Sequence, residues 1–266
     1  MKFISVLVLF FNSFAFGQSG KPFVLGVIDD IESTVLNEKR VLNIYLPEGY
    51  RSTDTTRYPV IYLLDGSADE DFIHIAGLVQ FATFEWVNLI PKCILVGIAT
   101  VDRRRDFTFP TLIESDKASF PSSGHSDKFI RFIEDELQPY IQHKYRTNLS
   151  ETIIGQSLGG LLATEILVKH TALFQNYIII SPSLWWDNGS ILNQTIPNIE
   201  NTNIYIGVGK EGLTPTKVPR VMEVDANLLA DRIKDKGKLY FDYLPEENHA
   251  TIMHQAVMNA FKKIKL

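Results

Sequence analysis

Gly155-Gln156-Ser157-Leu158-Gly159 fits the pattern Gly-x-Ser-x-Gly, and Gly160 extends it. The pattern describes a serine on a sharp, strained turn between a strand and a helix, where bulky neighbours would clash. Ser157 follows the apolar run Thr152 to Ile154 and opens the helical run from Leu158, so the setting matches the motif. There the hydroxyl stands at a helix N-terminus, whose dipole favours developing negative charge. A glycine-rich turn that only packs a helix on a sheet would share the motif without the chemistry. As a nucleophile Ser157 needs a base to take its proton. In the strand–turn–helix architecture that displays such a serine, an acid and then a histidine follow it along the chain. Of the six histidines, His143, His170 and His254 fall on or at the end of helical patterns. His74 and His125 precede Ser157. His249 lies in the polar loop Pro245 to His249, directly after the last predicted strand, and is the candidate base. Glu211, just after the run Asn203 to Val208, is the candidate acid, with Glu223 and Asp225 as alternatives.

Acyl transfer to a serine also needs two backbone N–H donors aimed at the developing oxyanion. Leu158, after the nucleophile, supplies one. The turn Leu64-Asp65-Gly66-Ser67 offers the second at Ser67, with Gly66 letting the backbone approach closely. Two further segments follow strands and so share the rim of the sheet. In the first, Arg103 and Arg104 are candidate grips for an anionic or polyphenolic substrate, although a self-paired, solvated loop would look the same. In the second, Trp185 and Trp186 are candidates for stacking on an aromatic or sugar ring, with one of the two expected in the core.

The elements that must position these residues can be read from apolar periodicity. Phe23 to Ile28, Arg40 to Leu46, Tyr58 to Leu64, Cys93 to Ala99, Thr152 to Ile154, Tyr177 to Ile180, Asn203 to Val208 and Leu239 to Leu244 read as eight strands. Phe129, Phe132, Ile133, Leu137 and Ile141 share one helical face. Leu158 to Lys169, a segment including Leu228 to Lys236, and Ala250 to Ile264 read as further helices. Strands alternating with helices imply a mostly parallel eight-stranded sheet with helices on both faces, in a single α/β domain.

The chain has 266 residues, 45% hydrophobic and 21% charged, enough to bury a core without disulfides or metal. A formal charge of −5 argues against a nucleic-acid partner. Lys2, the apolar stretch Phe3 to Phe16 and the small residues of Ala15-Phe16-Gly17 read as a secretory signal cleaved after Gly17. That divides the chain into residues 1–17 and a mature domain of residues 18–266. The stretch is too short for a spanning helix, so no stable membrane anchor is expected after cleavage, and the location is secreted or periplasmic. Cys93 is the only cysteine and sits in an apolar run, as a buried strand thiol would.

Tyr58-Pro59-Val60-Ile61-Tyr62-Leu63-Leu64-Asp65-Gly66, Gly155 to Gly160, Ser181 to Trp186 and Glu247-Asn248-His249 together resemble the esterase D-like branch of the α/β-hydrolases. That branch includes siderophore trilactone esterases, feruloyl and acetyl esterases, and S-formylglutathione hydrolase. The resemblance runs from about Tyr58 to the C-terminus. It implies an α/β-hydrolase fold, a Ser-His-acid mechanism without cofactor or metal, and a small-molecule or carbohydrate ester as substrate. It leaves the acid open, because members differ there and some siderophore esterases use a Ser-His pair. The mycolyltransferases are similar around Leu63 to Gly66, where the residue after Asp-Gly supplies an oxyanion donor, which supports Ser67. A secretory signal disfavours a glutathione thioester. A serine peptidase of the prolyl-oligopeptidase kind would usually carry a large access-restricting domain, for which this chain has no segment. A catalytically silent, ligand-binding hydrolase fold is the other alternative.

Overall fold

The structure is a computed structural model and describes residues 20–53, 55–214 and 216–266. The expected signal, residues 1–17, lies outside the described residues. Eight strands form one sheet: β1 (Val27–Ser33), β2 (Glu38–Tyr45), β3 (Tyr58–Leu63), β4 (Ile94–Ile98), β5 (Thr147–Gln156), β6 (Asn176–Ile180), β7 (Asn203–Gly209) and β8 (Lys238–Leu244). Their order is β1-β2-β4-β3-β5-β6-β7-β8. β1–β2 and β2–β4 pair antiparallel, and every other neighbour is parallel. The helices are α1 (Phe72–Ala82), α2 (Arg103–Asp106), α3 (Glu114–Ser119), α4 (Ser126–Phe132), α5 (Gln138–Lys144), α6 (Leu158–Lys169), α7 (Met222–Ile233) and α8 (Ile252–Lys263). None of the described helices is long and apolar enough to cross a membrane.

Alternation along the strands divides the core in two. Val60, Tyr62 and Leu64 face the cluster built by α4, α5, α6 and α7. Ile61 and Leu63 face the smaller cluster under α1 and α8. The central strands β3, β4 and β6 are buried at every residue, as continuous apolar runs covered on both faces should be.

Sequence and structure part at the first strand. It spans Val27–Ser33 rather than Phe23 to Ile28, because this edge strand is mostly exposed and polar and lacks the pattern of a buried one. Arg40 anchors the neighbouring β2, buried and paired with Asp106 at 2.7 Å. The helix predicted through Phe129 and Ile141 is α4 and α5 joined by a π-turn at Ile133–Leu137, and all five face residues are buried. The third predicted helix begins earlier than its apolar signal, at Met222. The loop of three arginines instead forms the helical turn α2, capped by the Asp102 carboxylate, which accepts from the N–H groups of Arg104 and Arg105.

Candidate active site

Three neighbouring strands end in residues with positive φ: Asp65 after β3 (φ 53), Ser157 after β5 (φ 59) and Ser181 after β6 (φ 43). Non-glycine residues hold this region only where surrounding contacts enforce it, and such residues cluster at functional sites. The contacts at Ser157 are clear. Its N–H donates to Ile180 O at 3.0 Å, and its carbonyl accepts from Leu161 N at 3.0 Å and Ser183 N at 2.9 Å. A Cβ at Gly155 would stand 2.4 Å from Gly159 O, so the crossing of strand and helix requires glycine there.

Ser157, Ser183, Trp185, Glu211, Leu213, Thr214, Met222 and His249 line a cavity of about 300 Å³. Glu211 Oε2 lies 2.6 Å from His249 Nδ1, and the Glu211 side chain is only 3% exposed. Its other oxygen, Oε1, accepts from the Ser181 hydroxyl and from Gly209 N–H at 3.3 Å. An imidazole held by a carboxylate at Nδ1 presents Nε2 as its free nitrogen. Ser157 Oγ is 3.2 Å from Ser183 Oγ and makes no hydrogen bond to the imidazole in this structure.

The two alternative acids are engaged elsewhere. Asp225 makes a bidentate pair with Arg220, at 2.6 and 2.7 Å. Glu223 accepts from the N–H groups of Glu211 and Gly212 and so props up the Glu211 turn. Burial pushes the Glu223 carboxyl up, but its own N–H, those of Glu211 and Gly212, and the charge of Lys210 together outweigh it and hold its pKa below the usual range. Glu211 is therefore the carboxylate that meets His249.

Leu158 is the first residue of α6, so its N–H has no carbonyl partner within the helix. The Ser67 N–H faces Glu70 Oε2 at a long 3.4 Å, while Ser67 Oγ accepts from Thr100 N at 3.2 Å. Arg103 grips Asp65 through two bonds of 3.0 and 2.8 Å. Burial still pushes the Asp65 carboxyl above its ordinary value, with Arg103 opposing. Arg104 lies over the Phe120 ring at 4.8 Å. Trp185 lines the cavity, but Trp186 does not contact it: fully buried, it donates its indole N–H to Phe109 O at 2.8 Å. Its assignment to substrate is thereby corrected, because no solvent-accessible face remains. Sequence reasoning missed Ser181, Ser183, Leu213, Thr214 and Met222. For the two serines the signal was position, immediately beyond the end of β6, in a segment noted for its tryptophans and its family resemblance but not for its hydroxyls.

The Esterase family model, described as "Putative esterase", matches residues 33–242. The chain belongs to the Esterase family. It is similar to the ferri-bacillibactin esterase BesA of Bacillus subtilis (strain 168), 34% identical over 171 residues, or 60% of this chain and 59% of BesA. It is also similar to the siderophore triacetylfusarinine C esterase of Aspergillus fumigatus, 29% identical across 63% of this chain and 59% of that one. The matched stretches thus span about three-fifths of these two relatives. Among solved structures, the IroE-like serine hydrolase from Shewanella oneidensis superposes with a TM-score of 0.78 at 30% identity, over 89% of this chain and 79% of that one. The BES protein from Bacillus cereus gives 0.77 at 27%, over 94% and 98%. Together with the sheet order, these likenesses give the family's α/β-hydrolase fold.

Proposed function

We propose that this chain hydrolyses carboxylic esters through an acyl-enzyme on Ser157, with His249 as base and Glu211 as the acid that orients it. The observation that carries the reading is the contact between Glu211 and His249 on the cavity that also holds Ser157. In the proposed cycle, His249 Nε2 takes the Ser157 proton as Oγ attacks the ester carbonyl, then returns it to the leaving alcohol. Glu211 keeps the proton-bearing Nδ1 fixed and stabilises the imidazolium. Leu158 N–H and Ser67 N–H receive the oxyanion, which requires Ser67 to give up its long contact with Glu70. Water then repeats the attack on the acyl-enzyme.

For the substrate we propose a small-molecule ester, with siderophore lactones first and acyl-carbohydrates second. Support comes from relatives named as siderophore esterases and from the apolar Trp185, Leu213 and Met222 beside polar Ser183 and Thr214. Trp185 is proposed to stack on an aromatic ring and the exposed Arg104 to attract an anionic ligand from the rim, whereas Arg103 is self-paired with Asp65 and is no longer a candidate grip. We further propose that the protein acts after export, secreted or in the periplasm.

The direct test is hydrolysis of p-nitrophenyl butyrate and of a panel of siderophore lactones and acylated sugars, with fluorophosphonate labelling. Ser157→Ala should abolish both turnover and labelling. A variant that still turns over substrate at the wild-type rate would overturn the mechanism.

A further inference from the structure

We infer that Ser181 and Ser183 are positioning residues, and that Ser181-Pro182-Ser183 is a brace joining the acid end of the relay to its nucleophile end. The inference rests on the acyl-transfer reading above. This three-residue segment leaves β6 and touches both ends of the site. Ser181 is fully buried, and its hydroxyl donates to Glu211 Oε1. Its N–H donates to Gly207 O at 2.8 Å, so its backbone is tied to β7, the strand that carries the acid. Ser183 is 2% exposed; it holds Ser157 twice, through N–H to the Ser157 carbonyl at 2.9 Å and through Oγ at 3.2 Å. Pro182 presses the segment against the first turn of α6, where a Cβ at Gly160 would stand 2.9 Å from Pro182 Cα.

Each contact has a chemical consequence. A carboxylate satisfied on one oxygen cannot rotate freely, so Ser181 on Oε1 leaves Oε2 aimed at His249 Nδ1. A proton donated from Ser183 to Ser157 Oγ fixes that oxygen by a lone pair and leaves the Ser157 proton free for the imidazole. Once Oγ bonds the acyl carbon it becomes an ester oxygen and a poorer acceptor, so the Ser183 hydroxyl is released. The positive φ of Ser181 fits this account: the backbone is held in a disfavoured conformation that turns the hydroxyl onto Glu211.

The test uses the whole protein with Ser181→Gly, Ser181→Ala, Ser183→Ala and the Ser157→Ala control, with kcat and KM measured separately on p-nitrophenyl butyrate. Glycine accommodates the positive φ, so Ser181→Gly isolates the hydroxyl even if the alanine variant fails to fold. Removing either hydroxyl should lower kcat about tenfold with KM within about twofold, the pattern of a misaligned relay with substrate binding left intact. A dead Ser157→Ala beside wild-type kcat in Ser181→Gly and Ser183→Ala would overturn the brace alone. An active Ser157→Ala would overturn the acyl-transfer reading on which it rests. Losses confined to KM would also reject the inference.

Discussion

Position 211 shows how much a single side chain depends on the contacts around it. Three carboxylates in the sequence stood close enough to β7 to serve His249, and nothing in their types separated them. The structure separates them by partners: Arg220 holds Asp225, two backbone N–H groups hold Glu223, and Glu211 meets the imidazole. Glu211→Gln should therefore lower kcat/KM on the order of 10³–10⁴ by favouring the wrong tautomer. Asp225→Asn should instead lower the melting temperature, since Arg220 loses a charged partner, while kcat/KM stays within a few-fold. Steady-state kinetics on an ester with parallel thermal denaturation checks the pair; equal kinetic losses would contradict the assignment of partners. Ser157 and His249 were legible beforehand because each announces itself by local order, a turn motif and a loop after a strand. Ser183 was not, because its role is visible only once β5 and β6 lie side by side. Trp185 and Trp186 are adjacent in sequence and opposite in fate, and only burial distinguishes them.

Among the elements, the central strands and α6 were plain in the sequence because burial on both faces of a strand, or all round a helix, leaves an unbroken pattern. β1 escaped because an exposed edge strand has little apolar signal, and α2 because a single capped turn is too short to show periodicity. Helix α1 was missed too, and with it a contact on the exposed side of the two helices that cover the sheet's smaller core. There His74 on α1 stacks on His254 on α8, with Nε2 and Nδ1 2.9 Å apart. Burial, and then repulsion from His254, lower the His74 pKa from its ordinary 6.5. The unfolded chain consequently binds this proton at a higher pH than the folded chain does. The stabilising contribution is complete above pH about 6.5 and declines as pH falls through that value toward the folded one. Melting temperatures at pH 7.5 and 5.5 test this. The wild type should lose more on acidification than His74→Gln, and equal losses would refute the linkage.

At the scale of the whole molecule, the single-sheet architecture puts the ends of β5, β6, β7 and β8 on one rim, so Ser157 and His249, far apart in sequence, line one cavity. Order along the chain predicted this, since the nucleophile, acid and base follow β5, β7 and β8, parallel strands met in that order. The substrate was not legible, because it depends on loops such as Leu213–Thr214 whose apolar face no periodicity encodes. Export belongs to this scale too. Expressed with its own N-terminus in a secreting host, the protein should be recovered outside the cytoplasm beginning at Gln18. N-terminal sequencing that finds Met1 retained would reject the proposed processing.

The Asp65-Gly66-Ser67 turn is locked to β4 in a way that reaches beyond the site. A Cβ on Gly66 would stand 2.4 Å from Gly97 Cα, and a Cβ on Gly97 would stand 2.5 Å from Gly66 O. Asn43, from the next strand over, donates to that same carbonyl at 2.8 Å. Neither glycine can therefore be exchanged alone, and exchanging both makes the clash worse. As sequences drift, these two positions form a ratchet. Lineages that keep this approach of loop to strand keep both glycines, and one that loses either must rebuild the turn carrying Ser67.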